Sequence, residues 1–215
     1  ALGVEIEKTV GAVREEAREL AGRGLAAGVS KREALELRIA ESMVEREDFD
    51  LIAMGRPEGP GCYCYANNVL REVIAQIAEN YPYLVLDNEA GLENLSRRIL
   101  RQVDLLIMVA DPSKRGLDTV GRLYDLASEM EVRHERLAIV VNRLRSCDLP
   151  RVASVLKERT GADCLVALPE DEVLAELGER GEPLTRLPGD NPVVEKLDRL
   201  LGEVGIETTR VVPAR

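Results

Sequence analysis

Three short, almost wholly apolar runs most constrain what this chain can fold into: residues 103–110 (VDLLIMVA), 137–141 (LAIVV) and 164–168 (CLVAL). Runs of this length read as strands, and near-continuous apolarity is what a strand covered on both faces carries in a parallel sheet. Helical periodicity separates them. Ser113 opens a helix whose inner face is Leu117, Val120, Tyr124, Ala127 and Met130, and a further helix is expected near residues 149–158. Asn191-Pro192 opens a last helix carrying Val193, Leu197, Leu200 and Val204 inward, with proline in its first turn.

The same alternation is read upstream. A helix is expected over residues 4–22, with Val10, Val13, Ala17 and Leu20 as a loose stripe. Ser30 and Glu33 form a capping box for a helix running to about residue 46, with Leu35, Ile39 and Met43 on one face. Residues 50–54 read as a short strand and residues 55–66 as a loop. Asn67 or Asn68 is the expected cap of a helix bearing Val69, Val73 and Ile77. Residues 83–86 read as a buried strand, with a helix after it near residues 92–101. Strands alternating with helices make βαβ units, so the expectation is an α/β fold with a mostly parallel sheet flanked by helices. One domain over residues 1–206 and a loose tail over 207–215 is the simplest division.

Composition narrows the classes of function. The chain has 215 residues, 45% hydrophobic and 32% charged, with no Trp, so its core is aliphatic. The formal net charge of −10 argues against non-specific binding to nucleic acid or to an anionic membrane. No apolar run approaches the roughly 18 residues that span a bilayer. The four cysteines, Cys62, Cys64, Cys147 and Cys164, read as thiols or metal ligands, and a cytoplasmic protein is expected.

In a parallel α/β sheet, ligands sit at the carboxyl ends of the strands. The loops there carry Asp87-Asn88-Glu89-Ala90-Gly91, Asp111-Pro112, Asn142-Arg143 and Pro169-Glu170-Asp171. Asp87, with Glu89 beside it, stands where a carboxylate holds Mg²⁺, and Gly91 can bring a backbone N–H to a terminal phosphate. The same stretch also reads as an acidic strand-to-helix loop. Asn142 offers an amide donor and acceptor suited to a purine edge, or is a turn-forming asparagine. Arg143 stacks on a base or is solvated. Pro169, Glu170 and Asp171 lie where backbone could touch the same base, or form an acidic first helical turn.

Gly61-Cys62-Tyr63-Cys64 places two thiols one residue apart in a Gly/Pro-rich stretch. Two thiolates do not complete a tetrahedral or square-planar site, so a metal there requires two more ligands, most simply the same pair from a second subunit. Incidental or redox-active thiols are the alternatives. His134, the only histidine, reads as solvated in a charged turn, and Cys147 and Cys164 read as structural. No G-x-x-x-x-G-K-[ST] phosphate loop occurs in these residues.

The Cys62-Tyr63-Cys64 motif, Asn68 after it, the stretch from Asp87 to Arg97 and Val140-Val141-Asn142-Arg143 together resemble a known family. They are similar to the nickel-insertion accessory ATPases of carbon monoxide dehydrogenase, within the MinD/ParA-like deviant P-loop ATPases. The resemblance implies a SIMIBI-type P-loop NTPase fold, lacking here its N-terminal phosphate-loop strand and second strand. It implies ATP and Mg²⁺ as cofactors, with Asp87 at Mg²⁺, Gly91 at the γ-phosphate, and Asn142 at adenine with Arg143 and the Pro169–Asp171 turn nearby. It implies Ni²⁺, or Zn²⁺ in its place, on Cys62 and Cys64 between two subunits of a homodimer. The implied client is apo carbon monoxide dehydrogenase or acetyl-CoA synthase. The catalytic lysine and aspartate of the family are absent from these residues, which are therefore expected to bind ATP poorly and to fold poorly alone. A relative in the same class with another cargo, and a non-enzymatic metal-binding dimer, are the competing readings. Asn88 departs from the threonine usual in that family, and Tyr65 from its proline.

Overall fold

The computed structural model describes residues 2–13, 15–16, 30–55, 64–88, 102–145 and 148–206, with backbone alone for residues 31 and 64–68. These group into two units, one of Ala1–Gly3 and Arg101–Arg215, the other of Val4–Leu100.

The apolar runs of the first unit become its sheet. Strands β3 (Gln102–Ala110), β4 (Arg133–Leu144) and β5 (Cys164–Pro169) are parallel, in the order β3-β4-β5. Two short strands precede them in the chain, β1 (Val44–Glu45) and β2 (Asp50–Leu51). Helix α3 (Lys114–Glu129) joins β3 to β4, and α4 (Arg151–Thr160) joins β4 to β5. Right-handed crossovers between successive neighbours put both helices on one face of the sheet. The last elements are α5 (Glu172–Arg180), a 3₁₀ turn (Leu184–Arg186) and α6 (Pro192–Glu203). Ala138, Val140, Cys164 and Leu168 pack with Val193, Leu200 and Val204 of and after α6. Leu137, Ile139 and Val141 alternate with them, are buried, and belong to the α3–α4 face.

Several expectations shift here. β3 is not covered on both faces: Ile107 is 42% and Val109 57% exposed. α6 packs on β5 and leaves that strip of β3 open. His134 is not in a solvated turn. It lies in β4, half-buried, with Tyr124 edge-on at 6.5 Å and its Nδ1 buried without a hydrogen-bond partner. Strand β4 begins before the apolar run because Arg133 and His134 already pair with Gln102 and Val103.

The second unit is mostly helical. Residues 10–13 are helical, and Thr9 Oγ1 accepts the Ala12 N–H, so this helix starts at a threonine cap and not at residue 4. Helix α1 (Lys31–Glu41) carries the expected capping box: Glu33 N–H donates to Ser30 Oγ at 3.1 Å, and Ser30 N–H to Glu33 Oε2 at 2.9 Å. It stops at Glu41, short of residue 46, because the Ser42 hydroxyl bonds back to the Ile39 carbonyl. Val44–Glu45 (β1) then pairs antiparallel with Asp50–Leu51 (β2). The strand expected at residues 50–54 is thus a short hairpin arm. Helix α2 (Cys64–Ala78) starts at Cys64, so Asn67 and Asn68 lie inside it and do not cap it. Val10, Val13, Leu35, Ile39, Val69, Leu70 and Val73 form the core, with Ile77 against it.

The expected strand at residues 83–86 does not form. These residues have no regular structure, and Tyr83 to Leu86 are exposed, Val85 by 86%. A strand exists only with a partner, and no strand among the described residues pairs with this run. The helix expected near residues 92–101 and the tail from residue 207 lie outside the described residues.

Candidate functional site

The carboxyl edge of the three-stranded sheet brings together the candidates from β4 and β5. Ala110, the last residue of β3, pairs with Val141, and Leu144 with Pro169, so β4 runs past the end of β3 and ends level with β5. Between Val141 and Leu144 the pairing slips, leaving one extra residue on β4. Asn142 and Arg143 occupy this bulge. Arg143 has φ 59°, a left-handed conformation that a long side chain seldom adopts. Its N–H donates to Asn142 Oδ1 at 2.9 Å. Bulges re-aim side chains at the edges of sites, and this one sets the Asn142 amide at the sheet rim with its Nδ2 uncommitted among the described residues.

Two of the predicted site residues have structural partners. Glu170 Oε2 receives the Arg145 Nε–H at 2.9 Å, and the Glu170 N–H donates to the Leu144 carbonyl at 3.0 Å. Asp171 caps α5 through the Leu174 N–H at 2.7 Å and accepts from Asn191 Nδ2 at 2.9 Å. Asn191 is buried and caps α6 through the Val193 N–H at 2.8 Å. This pair ties the starts of two helices to the end of β5. The Asp171 carboxylate therefore positions the loop, and what the turn offers a ligand is backbone.

The end of β3 adds a residue to which sequence reasoning assigned no role. Asp111 Oδ1 accepts the Ser113 N–H at 2.8 Å, and Ser113 Oγ accepts the Gly116 N–H at 3.0 Å to cap α3. The Ser113 side chain first, then its N–H, with the Arg143 charge adding, hold the Asp111 carboxyl below the usual aspartate range. Asp-x-Ser ahead of an apolar helical stripe is the signal that finds it. Near the other end of β5, burial first and then Glu203 push the Cys164 thiol up; Cys164 Sγ lies 3.6 Å from Glu203 Oε2. It is a buried packing thiol, as expected.

The remaining candidates are in the second unit. Asp87 is exposed, in irregular backbone. Glu89, Gly91 and Cys62 lie outside the described residues. Cys64 is the first residue of α2 and not part of a loop. Among the described residues no group of three or more His, Cys, Asp or Glu is placed to hold a metal ion.

Comparison with known proteins decides the family. An uncharacterized ATP-binding protein of Methanocaldococcus jannaschii is 42% identical over 204 residues, 94% of this chain and 80% of its own length. The chain belongs to the same family as this ATP-binding protein. No family model matches it. The carbon monoxide dehydrogenase accessory protein CooC of Rhodospirillum rubrum is 28% identical over 64% of the chain, which spans 52% of that relative's length. The MinD cell division protein of Aquifex aeolicus has the same fold, with TM-score 0.55 and 20% identity over 80% of this chain and 72% of its own. A ParA family ATPase of Chlorobium tepidum matches with TM-score 0.56 and 16% identity, over 91% of this chain and 75% of its own. The α/β fold with a parallel sheet flanked by helices is thus that of the MinD/ParA P-loop NTPases.

The Asn142 amide keeps a donor free among the described residues, and the bulge holds Arg143 at positive φ beside it. No helix among the described residues is long and apolar enough to cross a membrane.

Proposed function

We propose that the protein carrying this chain is an ATPase that delivers nickel to an apo-enzyme, carbon monoxide dehydrogenase or acetyl-CoA synthase, from a cytoplasmic homodimer. The observation that carries this reading is the Cys62-Tyr63-Cys64 pair running into the first turn of α2, in a chain with a carbon monoxide dehydrogenase accessory protein among its relatives. Cys62 and Cys64 from two subunits supply four thiolates to the cargo ion, Ni²⁺ or Zn²⁺. Asp87, with Glu89 nearby, holds Mg²⁺, and the Gly91 N–H meets the γ-phosphate. The Asn142 Nδ2–H donates to adenine, Arg143 covers the base, and the backbone of Pro169, Glu170 and Asp171 closes its edge. ATP supplies the driving force. The chain's own residues orient the base and couple the strand ends to the dimer.

The test uses the protein expressed from its complete reading frame. Wild type and the Cys62→Ser/Cys64→Ser double variant are titrated with Ni²⁺ by calorimetry, with ATP hydrolysis and sedimentation measured alongside. The expected result is one ion per dimer in wild type and none in the variant, with hydrolysis retained in both. Equal nickel binding by the two proteins overturns the cargo assignment and leaves a MinD/ParA-like ATPase with another cargo. Asn142→Ala is expected to weaken ATP binding about tenfold or more, the cost of an unmet purine edge. Unchanged affinity would remove Asn142 from the base site.

A further inference from the structure

Asp111, Glu170 and Asp171 follow directly on the ends of β3 and β5. Glu170 is committed to Arg145, and Asp171 to Asn191 and the Leu174 N–H. Asp111 has no ion pair among the described residues; its hydrogen bonds come from Ser113, two residues on, and the charge of Arg143 acts on it. The strand register brings the two together. Ala110 pairs with Val141, so Asp111 leaves β3 beside the bulge that carries Asn142 and Arg143, one strand spacing or about 5 Å across. The Arg143 guanidinium has neither an ion pair nor a hydrogen bond among the described residues. The next cations along the chain from Asp111 and Arg143 are engaged elsewhere: Lys114 lies 3.9 Å from Asp118, and Arg145 2.9 Å from Glu170.

The Asp111 carboxylate is also fixed in place. The Ser113 N–H holds its Oδ1 at 2.8 Å, and a Cβ on Gly116 would lie 2.7 Å from that oxygen, so only glycine leaves room for it. Helix α3 already has its cap in Ser113, whose Oγ accepts the Gly116 N–H, so starting the helix does not require Asp111. A fixed charge beside a long, unpartnered arginine restricts that side chain before any ligand arrives, and a side chain restricted in advance loses less rotamer freedom on binding. We infer that Asp111 is a positioning residue for nucleotide binding: its carboxylate draws the Arg143 guanidinium against the sheet rim and sets the plane that covers the base. The inference rests on the proposed place of Arg143 at the base. Both groups are exposed, so the attraction is screened and its effect is severalfold rather than hundredfold.

The test is a double-mutant cycle on ADP affinity, measured by calorimetry with the protein from its complete reading frame; ADP keeps the base and avoids hydrolysis. Arg143→Ala is expected to lose about tenfold in affinity, and Asp111→Asn about three- to fivefold. The asparagine keeps an acceptor for the Ser113 N–H and removes only the charge. In the Arg143→Ala background, Asp111→Asn is expected to change affinity by less than about twofold, because the group it acts through is gone. Asp118→Asn, which removes an equal charge from α3, is expected to leave affinity unchanged. If Arg143→Ala binds ADP as wild type does, the base reading of Arg143 fails and the inference with it. If Arg143→Ala weakens binding while Asp111→Asn does not, or if Asp111→Asn weakens it equally in both backgrounds, Arg143 keeps its place and the positioning role of Asp111 is overturned.

Discussion

At the residue scale, Gly116 shows why a glycine cannot be judged from its helix alone. A Cβ on Gly116 would lie 2.7 Å from Asp111 Oδ1 and 3.0 Å from the Asp111 carbonyl oxygen. The carboxylate is fixed by Ser113, so it cannot retreat. Gly116→Ala is expected to cost about 1–3 kcal/mol through overpacking. Gly178 in α5 has open space around it, so Gly178→Ala is expected to gain about 0.5–1 kcal/mol. Paired urea denaturations check both. Asp111 also fixes a pH dependence. Its carboxyl is depressed in the folded state, so its contribution is complete above the ordinary aspartate pKa and is lost as pH falls through the folded value. Glu33, depressed by the Ser30 N–H and then its hydroxyl, acts with the same sign. Stability is expected to fall on acidification below about pH 4, and less steeply in Asp111→Asn, as read from denaturation midpoints against pH. Asn191→Ala removes a buried cap and the Asp171 partner, with an expected cost of about 1–2 kcal/mol.

At the scale of elements, β4 is the spine of its unit: it pairs on both sides and its apolar residues are almost fully enclosed. Ile139, with no exposure, is expected to cost about 2–5 kcal/mol on truncation to Ala. Val109 on β3 and Val85 in the irregular segment are more than half exposed. Val109→Thr and Val85→Ser are expected to leave stability within about 0.5 kcal/mol. Denaturation midpoints separate the two classes, and a large loss from Val85→Ser would mean that residues 83–86 are buried after all. The contrast has one cause. Apolar runs of similar composition became strands where a neighbour offered hydrogen bonds, and stayed irregular where none did.

At the scale of the whole molecule, the chain has the fold of the MinD/ParA P-loop NTPases and spans 80% of one ATP-binding relative and about half to three-fifths of two others. What the sequence by itself determined were features set by neighbours along the chain. The capping box at Ser30, the caps at Ser113 and Asn191 and the apolar periods of β3, β4, β5, α3 and α6 needed only a few adjacent residues to be read. Asn142 and Arg143 were legible as candidates because they follow such a strand. The tertiary structure alone decided what depends on distant partners. It placed the bulge that turns Arg143 to positive φ and assigned Asp171 to Asn191, twenty residues on. It also set His134 within β4 and left residues 83–86 unpaired. Local propensity can propose a strand, but only a partner strand can satisfy its backbone.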